Sequence, residues 1–388
     1  MTHEIFKFPP LKETPEIQAL RHQVRDFLAE QAAIGCYVPG SHGWSHFNPA
    51  FTRALARAGF IGMTWPKRFG GQERSPIERH VVTEELLVAC APVRAHWIAD
   101  RQSGPLLLKF GNEEQCQRYL PRIAKGEHFF CIGMSEADSG SDLASIRTRA
   151  VKIDGGWRVT GAKLWTSIAH LVHTMILFAR TGPAGDDRHQ GVTQFLVDLD
   201  QPGISIRPIT NIMGEHDFNE VVFEDVFVPD ANVVGKMGNG WNQVTSELVY
   251  ERSGSDRWLS TIQLLRPLLR HMAAREDAPG DIALAGLGRA TAQLFTMHHM
   301  SAAVARLVAQ GGHPATEAAL VKDLGTQFER DLVEIARQAA EPFRDRLAPD
   351  DALEEALRFT ILHSPSLTIK GGTREILRGI IAKGLGLR

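Results

Sequence analysis

Two short stretches carry side chains fit for chemistry on a bound, planar, anionic ligand. The first is Met134-Ser135-Glu136-Ala137-Asp138-Ser139-Gly140-Ser141-Asp142, a hydroxyl-rich, glycine-hinged turn after the apolar run from Phe129 to Met134. Such a loop can turn backbone N–H groups and Ser hydroxyls toward an anion, because the first N–H groups of a following helical turn lack partners. The second is Trp165-Thr166-Ser167, a large aromatic and two hydroxyls at the end of a hairpin. It suits stacking on a flat heterocycle and hydrogen bonding to its edge. Taken singly, either stretch also reads as an ordinary polar turn or a buried tryptophan.

The elements that must position these residues change character along the chain. From Pro15 to Lys125 the period is helical, with Ile17, Leu20, Val24 and Leu28 recurring at spacings of three and four, as do Phe51, Leu55 and Ala58. Around Phe129 the period shortens. Val151 to Ile153, the turn Asp154-Gly155-Gly156, and Trp157 to Thr160 read as strand, turn and strand. Further strands are expected at Thr174–Ala179, Thr193–Asp198, Ile204–Pro208 and Glu220–Val228, a spacing that suits a small barrel or sandwich. From Gly240 the helical period returns. Trp241, Val244, Leu248, Trp258, Ile262 and Leu265 read as one stripe of a long helix, with later helices beginning near Asp281, Pro314 and Thr373. The expected architecture is α+β and multidomain: an N-terminal helical domain (1–128), a middle β domain (129–239) and a C-terminal four-helix bundle (240–388).

Composition narrows the function classes. The chain has 388 residues, 43% of them hydrophobic and 23% charged, as in ordinary globular proteins. A formal net charge of −2 gives no electrostatic reason to expect nucleic acid or an anionic membrane as partner. Four scattered cysteines (Cys36, Cys90, Cys116, Cys131) show no C-x-x-C spacing, so no metal site or disulfide framework is expected. The first residues lack the basic-then-apolar pattern of a secretory signal, and no stretch approaches the ~20 apolar residues of a spanning helix. A cytoplasmic location is the default expectation.

In order, the two chemical stretches resemble the flavin-binding segments of the acyl-CoA dehydrogenases, and the likeness extends over nearly the whole chain. It is carried by Trp65-Pro66-Lys67-Arg68-Phe69-Gly70-Gly71, Glu84-Glu85-Leu86, Gly111-Asn112-Glu113-Glu114-Gln115 and the run Tyr119 to Glu127. It continues through Val222 to Pro229, Gly371-Gly372-Thr373-Arg374-Glu375-Ile376 and the closing Gly384-Leu385-Gly386-Leu387-Arg388. The resemblance implies an FAD enzyme that forms a trans double bond between the α and β carbons of an acyl-CoA thioester, as in fatty-acid β-oxidation. A base removes the α proton, the flavin takes the β hydrogen as hydride, and an electron-transfer flavoprotein collects the electrons.

By the same resemblance, Met134 and Ser135 serve the isoalloxazine edge and Ser141 the pyrophosphate and substrate. Trp165 lies against the ring, Ser167 bonds near its N5, and Thr373 and Glu375 serve the cofactor. Thr373 also fits a plain helix N-cap. The base in many members is a glutamate directly before Gly-Thr; Gly371 holds that place here and accepts no proton. A subset carries the carboxylate on the first long helix of the C-terminal bundle, just before an arginine, and this chain has Tyr250-Glu251-Arg252 there. Glu251 lies seven residues after Val244 and seven before Trp258, on the expected apolar stripe. A carboxylate on such a face is either paired, as in a buried ion pair, or functional. Burial would lift its pKa from ~4.3 toward the ~6–7 useful for a general base. The glycine at 371 tips the balance to catalysis by Glu251. Gly371 keeps its N–H as one of two donors to the thioester carbonyl, a contact worth ~3 kcal/mol in comparable sites. Its missing side chain suits branched or bulky acyl groups. Tyr250 and Arg252 are expected at the substrate, Arg252 toward the CoA end.

Two departures qualify the likeness. Ala137-Asp138 replaces the family's usual Pro-Gly in the serine loop. The Arg-x-x-Phe-Gly and Gln-x-x-Gly-Gly segments by which a neighbouring subunit clasps FAD are missing; the region Asp281 to Met300 offers only Arg289. The expected assembly is thus a homodimer or homotetramer with an altered clasp, or a mixed assembly with a related chain. Rival readings are a non-catalytic subunit, against which Glu251 argues, and a flavin monooxygenase or oxidase on the same scaffold.

Overall fold

The computed structural model describes residues 6–10, 12–40, 45–183, 185–275 and 279–387, and of residues 247–251 the backbone alone. By contacts the chain divides into two compact units. One comprises Asn48–Glu73 and Arg94–Leu248, the other Met1–Phe47, Arg74–Val93 and Val249–Arg388.

The first unit is built on a curled seven-stranded sheet: β1 (Phe130–Gly133), β2 (Arg149–Ile153), β3 (Gly156–Ser167), β4 (Thr174–Arg180), β5 (Val192–Asp198), β6 (Ile204–Thr210) and β7 (His216–Pro229). Their order is β1-β4-β2-β3-β7-β6, with β5 also paired to β4. All but β1 fall where the period-two pattern expects strands. The β2–β3 hairpin turns at Asp154-Gly155, where Gly155 takes φ 70°, the left-handed geometry of tight hairpins. One sheet face buries Trp157, Val159, Met175, Leu177, Phe195, Val221, Phe223 and Val228. A second apolar cluster joins Phe130, Ile176 and Leu196 to Trp65 and to the helical residues Leu107, Tyr119, Leu120 and Ile123. The last three lie on helix Glu113–Ala124, whose start is set by reciprocal bonds between Asn112 and Gln115.

The second unit is helical. Helix Pro15–Ala33 starts at Thr14, which caps the Ile17 N–H, and buries Ile17, Leu20, Val24 and Leu28, the stripe read from sequence. With it stand Pro76–Val88, Leu265–Ala273, Asp281–Ala309, Ala315–Ala340, Ala352–Leu367 and Arg374–Gly384. Ions tie three of these together. Arg21 Nη1 lies 2.8 Å from both Glu84 and Glu85, Arg25 Nε lies 2.8 Å from Glu85, and His298 Nδ1 lies 2.6 Å from Glu84.

The expectation of one long helix from Trp241 to Leu265 is corrected. The helix is Gly240–Arg252; it stops before Gly254, which is extended (φ −65°, ψ 154°). Single 3-10 turns follow at Ser255–Arg257 and Ile262–Leu264, and a separate helix runs Leu265–Ala273. The seven-residue step from Glu251 to Trp258 therefore crosses a chain break in helical phase. Trp258 and Leu264 are buried all the same. Helix Ala352–Leu367 is not among those expected from sequence.

Candidate cofactor and substrate site

The serine loop leaves the sheet at Gly133, and one backbone bond sets its place. The N–H of Leu164 on β3 donates to the carbonyl of Ser135 at 2.8 Å, so the loop runs beside the segment that ends in Trp165-Thr166-Ser167. The two stretches singled out from sequence are neighbours. Beneath them lies an ion pair that sequence reading missed. Lys163, fully buried, donates to Glu136 Oε1 at 2.8 Å and to the Met134 carbonyl at 2.9 Å. Glu136 also accepts from the N–H groups of Arg147 (2.6 Å) and Thr148 (3.0 Å), closing the loop at its far end. Burial pulls the Lys163 ammonium down to about 8 against the opposing pull of Glu136. Burial alone would raise the Glu136 carboxyl; Lys163 and the two amides hold it below its ordinary value. The missed signal was period two in β3: Trp157, Val159 and Lys163 share the inward face, and a lysine there demands a partner.

Trp165 is presented by strain. Between the pairs Lys163–Val221 and Thr166–Asn219, β3 holds one residue more than β7, which is a β-bulge. Trp165 sits in it at φ 60° with its indole 55% exposed, edge-on to Phe218 at 6.0 Å. A non-glycine residue in that region is uncommon and often marks a functional constraint. Asn219 steadies the bulge by donating to the Thr166 carbonyl at 3.0 Å, and its Oδ1 lies 2.6 Å from Nε2 of His216.

These residues fit a flavin. A broad aromatic face stands exposed, and the buried Thr166 hydroxyl has no hydrogen-bond partner in the protein. Among the described residues, the hydroxyls of Ser135, Ser141 and Ser167 also take no protein partner. Met134 is half-buried against Ile146, Phe178, Val192 and Val244. Ser141 is exposed, beyond a turn in which Ser139 and Ser145 both donate to the Asp142 carbonyl at 2.8 Å. The helical turn expected after the loop is a three-residue 3-10 turn, Leu143–Ser145, too short for a macrodipole to matter.

The remaining residues expected at the site from sequence belong to the helical unit. Nε of Arg252 donates to the Gly371 carbonyl at 3.2 Å, joining the end of the helix that carries Glu251 to the glycine loop. Gly371 and Gly372 take φ 74° and 102°, a conformation that L residues resist. Both ends of this loop are held from helix Ala315–Ala340. Lys322 donates to the Leu367 carbonyl at 2.9 Å, and Arg374 pairs with Asp323 at 2.7 Å. Burial brings the Lys322 ammonium down to about 7. Thr373 caps helix Arg374–Gly384 through the Ile376 N–H. Glu375 is exposed, and its carboxyl is lowered by the amide and the Thr373 hydroxyl at the helix start. The side chains of Tyr250 and Glu251 lie outside the described residues. No group of three or more metal-ligating side chains, and no helix long and apolar enough to cross a membrane, occurs among the described residues.

Residues 14–127 match the model of the acyl-CoA dehydrogenase N-terminal domain, and residues 131–226 that of the middle domain. Acyl-CoA dehydrogenase IpdE1 of Mycobacterium tuberculosis is 35% identical over 95% of this chain and 97% of its own length. Acyl-CoA dehydrogenase FadE34 of the same organism is 32% identical over 95% of this chain, which spans about half (49%) of that relative. A solved structure, the Tcur3481-Tcur3483 steroid ACAD, superposes with a TM-score of 0.85 at 27% identity, over 97% of this chain and 98% of its own. With matched domains over most of its first 226 residues and a relative alike along nearly its whole length, the chain belongs to the acyl-CoA dehydrogenase family of FAD-dependent oxidoreductases.

Proposed function

We propose that this chain catalyses the α,β-dehydrogenation of an acyl-CoA thioester to the trans-2-enoyl-CoA, with Glu251 as the base. The observation that carries the proposal is the Arg252–Gly371 bond. It ties the residue next to Glu251 to a loop whose glycine takes the place of the family's usual glutamate. FAD, when bound, supplies the hydride acceptor. Glu251 takes the α proton onto its carboxylate. The Gly371 N–H holds the thioester carbonyl and stabilises the negative charge that grows on its oxygen as the proton leaves. Arg252, bonded to the Gly371 carbonyl, holds the next peptide of the same loop, and Tyr250 and Arg252 contact the CoA ester. Met134, Ser135, Ser141, Trp165 and Ser167 serve the cofactor, as do Thr373 and Glu375.

The substrate class we propose is a bulky, branched acyl-CoA such as a steroid-derived side chain. The absent side chain at Gly371 supports it, as does the likeness to a solved enzyme named as a steroid ACAD. That enzyme's name joins two chains, Tcur3481 and Tcur3483. With the missing FAD-clasp segments, this favours assembly with a related chain over a homotetramer. An electron-transfer flavoprotein is the proposed acceptor.

Anaerobic bleaching of the bound flavin by a panel of CoA esters tests the proposal. Bleaching by bulky esters in the wild type, lost in Glu251→Gln, is expected. A flavin-bearing protein inert to every ester would instead mark a partner subunit, and oxygen uptake driven by reduced flavin an oxygenase.

A further inference from the structure

Lys163 has no part in the chemistry described so far, yet its burial is complete. Taking an ammonium out of water costs several kcal/mol, and an apolar pair of similar volume is often as stable or more so. Stability is thus a weak reason for its presence. Its bonds suggest another. Lys163 donates to the Met134 carbonyl, and Leu164 donates to the Ser135 carbonyl, so the peptide planes on both sides of Ser135 are pinned. The N–H of Ser135 belongs to the peptide whose carbonyl Lys163 holds. That N–H donates to no backbone acceptor among the described loop bonds. A carbonyl bonded to a cation polarises its whole peptide group, which makes the N–H at the other end a stronger donor.

We propose that Lys163, held by Glu136, is a positioning residue that primes the Ser135 N–H as a donor to the flavin ring. The charge pair thereby governs how tightly FAD is held and how readily it accepts electrons. The proposal rests on the reading of the serine loop as the flavin edge. Donation to the ring stabilises the extra negative charge of the reduced cofactor, so a stronger donor favours reduction. Glu136 keeps the ammonium charged inside the protein, and through Arg147 and Thr148 it fixes the loop on which Ser135 rides.

The test combines Lys163→Met with Glu136→Gln, which removes both charges and keeps an acceptor for the loop amides. Fold is followed by circular dichroism, FAD affinity by titrating apoprotein, and midpoint potential by anaerobic reduction against a reference dye. None of these readouts needs acyl-CoA, so a wrong assignment of Glu251 leaves them untouched. A folded variant with at least tenfold weaker FAD binding and a more negative midpoint potential is expected. Lys163→Gln, which keeps a donor without the charge, is expected to fall between the two. Unchanged affinity and potential in a folded variant overturn the proposal. So does failure of both variants to fold, since the pair is then only structural. A wild-type protein that takes up no FAD sinks the flavin reading itself, a distinct result.

Discussion

Nε of Arg252 donates to the carbonyl of Gly371 at 3.2 Å while Gly371 holds φ 74°. This relationship bears on whether the family's commoner base position can be restored. An L residue in the left-handed region costs about 1–2 kcal/mol. Gly371→Glu is therefore expected to lower the thermal midpoint and to leave the Glu251→Gln protein inactive when the two are combined. Recovery of flavin bleaching in the double variant would show that the loop can remodel around a side chain.

Glu251→Gln keeps the shape of the side chain and removes its basicity. The rate of bleaching by a reactive CoA ester is expected to fall by roughly 10²–10⁴-fold, the span of general base catalysis. FAD content and melting temperature are expected to stay at wild-type values. Stopped-flow absorbance under anaerobic conditions measures the rate; a drop of less than tenfold would move the base elsewhere.

The Glu84–His298 contact gives stability a pH window. Burial would raise the Glu84 carboxyl, but His298, His80 and Arg21 bring it down to about 2. The bond to Glu84 raises His298 above its ordinary value. A depressed carboxyl contributes fully above its unfolded pKa, ~4.3, and the contribution is lost as pH falls toward 2. A raised histidine contributes fully below ~6.5, and the contribution is lost as pH climbs through its folded value. The contact is therefore strongest between about pH 4.3 and 6.5. In His298→Gln, the excess loss of melting temperature relative to wild type is expected to be greatest in that window and to shrink as pH rises through the raised value of His298.

Two glycines of the β module are expected to respond differently to alanine. At Gly161 (φ 147°) a Cβ would lie 2.6 Å from Thr148 Oγ1 and 2.7 Å from its Cα. At Gly155 (φ 70°) nothing lies within 4 Å. Gly155→Ala is expected to cost about 1 kcal/mol of backbone strain. Gly161→Ala adds an overpacking penalty of about 1–3 kcal/mol. Urea unfolding of the two variants separates the terms.

Periodicity made most of the β module legible, because Val221 and Phe223 on β7 are buried while Val222 and Glu224, which alternate with them, are not, the pattern of a half-buried strand. It misjudged the region after Arg252, where Trp258 and Leu264 are apolar for burial in irregular turns rather than along one helix. The glycine at 254 was the available warning. Helix Ala352–Leu367 went unread although Leu353, Leu357 and Thr360 face inward at helical spacing. Of the candidate site, the loop and the tryptophan were visible as residue types. Their adjacency was not, since it rests on a backbone bond from Leu164 to Ser135 and on a charge pair 27 residues apart in sequence.

That separation has a kinetic side. Glu136 precedes its counter-ion Lys163 by 27 residues, with the whole β2–β3 hairpin turn between them, so the serine loop gains its ion pair only once β3 is in place. On the proposed reading of the serine loop as the flavin edge, loading of the cofactor during refolding is tied to completion of β3.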